Sequence, residues 1–391
     1  MKKLAIIGRG TAGSLAAAHF LRHTDWEIDW YFDNDIKPQA VGEGSNLILP
    51  NFLKNCLNFE HHDLSKIDGS FKASIYKEGW GKGQGFHHTF APPLLSYHFN
   101  ANKLQDYILS LVRSNPKLTI KEQNIIHDNI DSDFILDSSG RPKSYEEFHL
   151  SKYIPVNSVH VNQCYWEYPR FQYTLTIARP YGWVFGIPLQ NRCSIGYMYN
   201  NNINTLEEVK EDIKHIFTQF NLVPSDQTNT FSFKNYYRKQ NYSERICYNG
   251  NASFFLEPME ATSIGMMQVI NKWSLDLFND ISNIDIINYR YYTVNKEIES
   301  VIMLHYFAGS IYDTDFWKFA KERGEKCMLD SLTQKKYKLD RSFHEMLNDV
   351  DNNKRFEGFG TWNKESFKQN IVGLDVRENL DNLINNTIIG E

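Results

Sequence analysis

The residues whose types and spacing can do chemistry begin at the N-terminus. There Lys3-Leu4-Ala5-Ile6-Ile7 runs into Gly8-Arg9-Gly10-Thr11-Ala12-Gly13 and then into the alanine-rich Ser14-Leu15-Ala16-Ala17-Ala18. A short apolar run that turns through a GxGxxG spacing into a helix start aims backbone N–H groups at a diphosphate. In that arrangement Gly8 makes the tight turn, Gly10 lets the backbone approach the pyrophosphate, and Gly13 lets helix and strand pack closely. Asp33 ends the next strand-like run, Glu27-Ile28-Asp29-Trp30-Tyr31-Phe32, twenty residues beyond Gly13. That is about the separation at which an acidic side chain meets the adenosine ribose hydroxyls. These residues predict a dinucleotide site.

Three further stretches carry reactive groups. Val41-Gly42-Glu43-Gly44-Ser45 is an acid flanked by glycines, leading into an apolar helix-like segment, Leu47 to Leu57. Glycines on both sides imply a loop pressed against something planar or bulky, or a plain structural turn. Glu257-Pro258-Met259-Glu260-Ala261-Thr262-Ser263-Ile264-Gly265 breaks an apolar segment with two glutamates and small residues, an odd composition for a core. Between them, Phe71, Ala73 and Ile75 alternate with Lys72, Ser74 and Tyr76, a strand-like pattern that puts Lys72 opposite the apolar set as an ordinary exposed lysine.

The elements that must position these groups begin with parallel-type strands. Phe134-Ile135-Leu136 closes on Asp137-Ser138-Ser139-Gly140, small polar groups of the kind found where ligands of open α/β sheets sit. Ser96 to Phe99 leads into an amphipathic helix over Leu104 to Val112, and from Tyr153 to Tyr199 the pattern turns to antiparallel strands. Leu206 to Phe220 reads as an amphipathic helix with Val209, Ile213 and Ile216 on one face, and the chain beyond Gly265 is mainly helical. The expected division is a nucleotide domain over 1–268, with an antiparallel sheet inserted at about 150–245, and a helical substrate portion over 269–391.

Composition excludes several function classes. The 391 residues carry 41% hydrophobic and 23% charged residues and a net charge of −5, which offers no basic surface, so nucleic acid is not expected as a partner. The longest apolar runs fall far short of a membrane span, and the N-terminus enters a strand rather than a signal peptide, so no membrane partner and a cytoplasmic location are expected. Cys56, Cys164, Cys193, Cys247 and Cys327 are scattered singly and read as reduced core residues. The adjacent pairs His61-His62 and His87-His88 place their side chains poorly for one tetrahedral ion, so no metal is expected.

Taken in order, these segments resemble the flavin-dependent halogenases, the group typified by tryptophan halogenases. Gly8 to Gly13 is similar to the family's FAD loop, Val41 to Ser45 to its Gly-Glu-Ala-Thr segment, and Phe71-Lys72 to its Phe-Lys strand. Tyr97-His98-Phe99-Asn100 and Asp137 to Gly140 resemble further motifs of the FAD domain. Trp183-Val184-Phe185-Gly186-Ile187-Pro188 resembles the WxWxIP motif with Phe185 in place of the second tryptophan. Glu257 to Ile264 resembles Glu/Asp-Pro-Leu-Glu-Ser-Thr-Gly-Ile, and His305-Tyr306 with Asp313-Thr314-Asp315-Phe316-Trp317 resembles the family's closing helix motif.

The resemblance implies an α/β (α+β) fold: a Rossmann-like, flavin monooxygenase-type domain with mixed sheets, plus a mainly helical substrate-binding portion. It implies FAD, used as FADH2, with O2 and a halide, chloride or bromide. Flavin hydroperoxide and halide would give hypohalous acid, delivered through Lys72 and Glu260 to an indole- or phenol-type carbon. Lys72 would hold the acid by a hydrogen bond or form an N-halamine, and Glu260 would polarise it or take the proton of the cationic intermediate. The family's pattern places FAD against Gly8, Gly10, Thr11, Ala12, Gly13, Asp33, Gly42, Glu43, Trp183, Ile187 and Ile264, and the halide at Thr262 and Ser263. Lys72 and Glu260 are then expected to converge on one cavity joined to the flavin by a passage.

The departures bear on specificity. Phe185 weakens the tryptophan barrier between substrate and flavin, and Ser263 puts a Cβ where the family has glycine. The chain is shorter than the tryptophan-specific members in its helical C-terminal portion, so the substrate is expected to be a small aromatic without free tryptophan being assumed. With no second dinucleotide fingerprint, reduced flavin would come from a separate reductase, and a homodimer is left open. The alternatives are an FAD-dependent aromatic monooxygenase on the same scaffold, or a flavin-binding protein without turnover.

Overall fold

In the computed structural model, which describes residues 1–35, 42–90, 94–125, 127–333, 343–354, 358–360 and 362–388, the apolar opening run forms the central strand Lys3–Ile7 of a five-stranded sheet. Glu27–Phe32 and Phe134–Asp137 flank it, with Leu118–Glu122 and Ile246–Tyr248 at the edges, and every pairing is parallel. Leu4, Ala5, Ile6 and Ile7 are all buried, as expected for a strand covered on both faces. The helix Thr11–His23 follows at once, and its residues from Thr11 to Leu21 are buried. It packs against the helices Ala101–Val112 and Thr262–Phe278. Asn100 starts the former by accepting hydrogen bonds from the backbone of Asn102 and Lys103.

Beside this sheet are two small antiparallel ones. In the first, Ser96–Asn100 lies between Gly42–Gly44 and Ser70–Lys72. In the second, Tyr236–Arg238 lies between Phe148–Leu150 and Phe254–Phe255. These elements belong to one compact unit made of Met1–Lys72, Leu95–Leu150 and Asn235–Tyr292.

The other unit comprises Ala73–Leu94, Ser151–Lys234 and Thr293–Glu391. Its seven-stranded sheet runs in the order Val223–Ser232, Ser158–Tyr165, Arg192–Tyr199, Gly182–Pro188, Tyr173–Arg179, Ser74–Glu78, Phe86–Thr89. Only the pairing of Tyr173–Arg179 with Ser74–Glu78 is parallel, so the sheet is mixed. The helix Leu206–Gln219 lays Val209, Ile213 and Ile216 on Leu175, Ile177, Val184 and Ile195. Thr205 and Glu208 close a reciprocal capping box at its start. Arg179 holds Asp212 through Nε at 2.9 Å and Nη2 at 2.6 Å. Further helices, Asp315–Thr333, Phe343–Asp351, Lys364–Gly373 and Arg377–Ile388, complete this unit.

Two sequence readings change here. The alternation over Phe71 to Tyr76 is not one strand. Ser70–Lys72 pairs with Ser96–Asn100, whereas the Ala73 N–H bonds the Gln172 carbonyl and Ser74–Glu78 joins the seven-stranded sheet. The boundary drawn at 268 falls inside the helix Thr262–Phe278, which groups whole with the parallel sheet because it packs on the helix Thr11–His23. No described helix is long and apolar enough to cross a membrane.

Candidate functional site

The three glycines of the first loop do three separate jobs. Gly8 has φ +95°, and a Cβ there would lie 2.3 Å from the Ser138 carbonyl oxygen, so the turn admits only glycine. A Cβ on Gly13 would lie 2.1 Å from the Gly8 oxygen, which is the close approach of helix to strand. Gly10 is different: a Cβ there meets no protein atom within 4 Å. Protein packing does not require glycine at that position, and the open side is where a ligand can come close to the backbone. The helix behind it begins without an acidic residue in its first turn, so its N–H groups and dipole are free to favour an anion.

Glu43 touches this loop, and Asp33 and Asp137 stand at the ends of the two strands that flank Lys3–Ile7. Thr11 Oγ1 donates to Glu43 Oε1 at 3.4 Å and accepts from Gln105 Nε2 at 3.2 Å, which ties the helix start to the Gly42–Gly44 strand. Burial pushes the Glu43 carboxyl up to about 7, against the hydrogen bond from Thr11. Asp33 follows directly on the strand Glu27–Phe32, half-buried, and accepts from the Asp35 backbone at 2.9 Å. A Cβ on Gly250, at φ +57°, would lie 2.7 Å from the Ala12 methyl, so the second glycine element also meets the helix start. Asp137 accepts from His127 Nε2 and the Ser139 N–H, each at 2.8 Å. Burial opposes ionisation there, but these hydrogen bonds prevail and hold its carboxyl below the usual range. Val41 lies outside the described residues.

Lys72 is not the exposed lysine that its alternation suggested: it is 1% exposed. Its Nζ donates to the Ser45 carbonyl at 3.0 Å. Ser45 is itself pinned, because its Oγ lies 2.6 Å from Ser96 Oγ and donates to the Tyr97 carbonyl at 2.9 Å, while Ser96 Oγ donates to the Asn46 carbonyl at 2.7 Å. Ser96 is the residue paired with Lys72 across the small sheet. Buried His98, next but one along that strand, is held neutral by burial first and by the Lys72 charge second, its pKa well below the ordinary value.

Glu260 sits in a one-turn segment, Met259–Ala261, directly before the helix Thr262–Phe278. Glu260 at φ +65° and Ala261 at φ +52° are both left-handed, an uncommon pair of non-glycine residues that costs conformational energy. Glu260, Thr262 and Ile264 are buried and Ser263 is half-buried. This helix too begins without an acid in its first turn. A Cβ on Gly265 would lie 2.0 Å from Asn46 Nδ2, so the first turn of the helix is seated on Asn46. Ser45, the acceptor of the Lys72 amine, is thus followed in the chain by Asn46, on which Gly265 of the helix after the Glu260 turn is seated.

Sequence reasoning missed Ser45 and Ser96 as the groups that hold Lys72 in place, and only the pairing of Lys72 with Ser96 across the sheet could have signalled them. Trp183 and Ile187 belong to the other unit, on the strand Gly182–Pro188. Trp183 is buried, makes an edge contact with Phe185 at 6.2 Å, and its Nε1 has no hydrogen-bond partner among the described residues. Also missed in that unit is Lys77, fully buried, whose Nζ lies 2.7 Å from His305 Nε2, bonds Asn370 Oδ1, and sits 5.7 Å from the ring centres of both Phe86 and Trp362.

A family model described as tryptophan halogenase matches residues 3–131 and 116–385, almost the whole chain. The chain belongs to the tryptophan halogenase family. Among characterised relatives of this halogenase-family protein, tryptophan 7-halogenase RebH of Lentzea aerocolonigenes is 27% identical over 158 residues, 38% of this chain and 29% of that protein. Tryptophan 7-halogenase KtzQ of Kutzneria sp. (strain 744) is 24% identical over 156 residues, 38% and 28% of the two chains. The matched stretch thus spans less than a third of the length of these relatives. Among solved structures, Xcc4156, a flavin-dependent halogenase from Xanthomonas campestris, superposes with a TM-score of 0.78 at 17% identity, covering 100% of this chain and 95% of that one. MibH, described as a lathipeptide tryptophan 5-halogenase, gives 0.79 at 15% identity, covering 96% and 86%. At these identities the likeness is one of fold: the α/β architecture with parallel and mixed sheets is that of the flavin-dependent halogenases.

Proposed function

We propose that this protein is a FADH2-dependent halogenase, and that Lys72 and Glu260 carry halogen transfer to an electron-rich aromatic carbon of an indole or phenol type. The observation that carries this reading is the enclosed Lys72 amine, bonded to Ser45, with the next residue, Asn46, packed on Gly265 in the helix that follows buried Glu260. An amine removed from water is not a surface charge, and its fixed position suits a donor that must hold a small oxidant in one place.

The first loop fits a dinucleotide through the open side of Gly10 and the acid-free helix start, and Gly8, Thr11, Ala12, Gly13, Asp33, Gly42, Glu43, Trp183, Ile187 and Ile264 are the further residues proposed to hold it. Reduced FAD with oxygen, when bound, supplies the oxidising equivalent that turns halide into hypohalous acid. The residues do the rest. Backbone N–H groups at Thr262 and Ser263 attract the halide at a helix start. The Lys72 ammonium donates a hydrogen bond to the hypohalous acid or, once deprotonated, takes the halogen on nitrogen. The Glu260 carboxylate receives the proton that the ring loses. A separate reductase supplies the reduced flavin.

The test is a halide and aromatic-substrate panel with added flavin reductase, read by product mass, for native protein, Lys72→Ala and Glu260→Gln. Both variants are expected to keep FAD and to lose halogenated product by roughly 100-fold or more. Undiminished halogenation by Lys72→Ala overturns the role of that lysine. Oxygen added to the product without halogen moves the assignment to an aromatic monooxygenase.

A further inference from the structure

At the far end of the helix Thr11–His23, away from the glycine loop, His19 and His23 stand one turn apart on the same face, next to Cys56 on the helix Ile48–Leu57. One ligand atom from each of the three lies within 4.8 Å of the other two. Two ligands of one tetrahedral zinc, a thiolate at about 2.3 Å and an imidazole nitrogen at about 2.0–2.1 Å, are about 3.6 Å apart. Cys56 Sγ and His23 Nε2 are already 3.9 Å apart. His19 supplies the second, independent observation: it is 8% exposed, and its Nε2 is enclosed without a hydrogen-bond partner among the described residues. A buried imidazole nitrogen left unpaired costs stability unless something binds it.

The frame around the three groups is fixed. Arg22 Nε donates to the Asn55 carbonyl at 3.1 Å, holding the two helices together beside Cys56. The His19 ring stacks on Phe52 at 6.2 Å with the planes 10° apart. His23 is exposed and also lines a cavity of about 620 Å³.

We propose that His19, His23 and Cys56 form a zinc site with two imidazole ligands, one thiolate and one water. Two nitrogens and one sulfur with no carboxylate select a borderline-soft cation over magnesium or calcium. Binding releases the Cys56 thiol proton to solvent and leaves both imidazoles neutral. The ion cross-links the C-terminal parts of two helices: one starts at the glycine loop and the other follows Ser45.

The test uses the tag-free full chain stripped with a chelator, titrated with zinc against a chromophoric chelator and, separately, with cobalt. The native chain is expected to take up one equivalent, to show the thiolate-to-cobalt charge-transfer band with the intense visible bands of a tetrahedral ion, and to melt higher with zinc. His23 is exposed and Cys56 half-buried, so His23→Gln and Cys56→Ser are expected to fold as before. Each should weaken zinc by more than about tenfold, and Cys56→Ser should lose the charge-transfer band. A native chain that binds no equivalent of zinc, or a Cys56→Ser variant that keeps the thiolate band, overturns the proposal. FAD binding and halogenation are separate readouts, so failure here leaves the halogenase reading untouched.

Discussion

Replacing Gly10 by alanine adds a methyl that meets no protein atom within 4 Å, whereas the same change at Gly13 drives a methyl to 2.1 Å from the Gly8 carbonyl oxygen. The two substitutions therefore separate ligand contact from packing within one loop. At Gly10 the backbone, φ −61° and ψ 179°, suits alanine. The unfolded chain loses about 0.4–1 kcal/mol of conformational freedom, which stabilises the fold, and a poorer N-cap gives back a similar amount. The net change is within about 1 kcal/mol. At Gly13 the helix must shift by more than an ångström, and overpacking of that kind costs about 3 kcal/mol or more. Thermal unfolding without FAD should leave Gly10→Ala within a few degrees of native and lower Gly13→Ala sharply. Titration with FAD, followed by flavin fluorescence, should show Gly10→Ala binding at least about tenfold more weakly, equivalent to about 1.4 kcal/mol. If Gly10→Ala binds FAD as tightly as native protein, the open side of Gly10 is not where the dinucleotide lies.

The remaining predictions concern single groups. Glu43, raised to about 7 from an ordinary 4.5, holds its proton more tightly in the folded chain than in the unfolded one. Its contribution is full below about pH 4.5 and is lost as pH rises through about 7. Denaturant midpoints of the FAD-free protein across that window should fall with rising pH, and Glu43→Gln should flatten the fall. Lys77→Met takes the ammonium from buried His305 Nε2 and Asn370 Oδ1 and should destabilise the chain by about 2–4 kcal/mol, read as a lowered Tm. Thr205→Ala opens the capping box of the helix Leu206–Gln219 and should cost about 1 kcal/mol by the same measurement.

The strand, turn and helix of the first loop were legible because their constraints are mostly local. A strand, a tight turn and a helix start lie within sixteen consecutive residues, and Gly13 answers to Gly8 five positions away. The place of Asp33 directly after a strand was legible for the same reason. Lys72 was not, because alternation describes one strand in isolation. Whether the polar face of Ser70–Lys72 meets water or protein depends on Ser45 and Ser96, more than twenty residues away on either side. Lys77 escaped notice by the same logic, since its partners His305 and Asn370 come from distant helices. Cys56 was read as core, but it is half-buried at a helix end beside two histidines that are far away in the chain. Motif order singled out Lys72 and Glu260 where periodicity did not, and it had nothing to say of His19.

The left-handed pair Glu260 and Ala261 sets up a thermodynamic slope within the sequence itself. Glycine in either place would relax the chain by about 1 kcal/mol or more, and a random walk through sequence space that answered only to folding would drift that way. The direction of the first side chain there is dictated by the main-chain torsions beneath it as well as by its own rotamer, so the aim of that carboxylate is built into the path of the polypeptide.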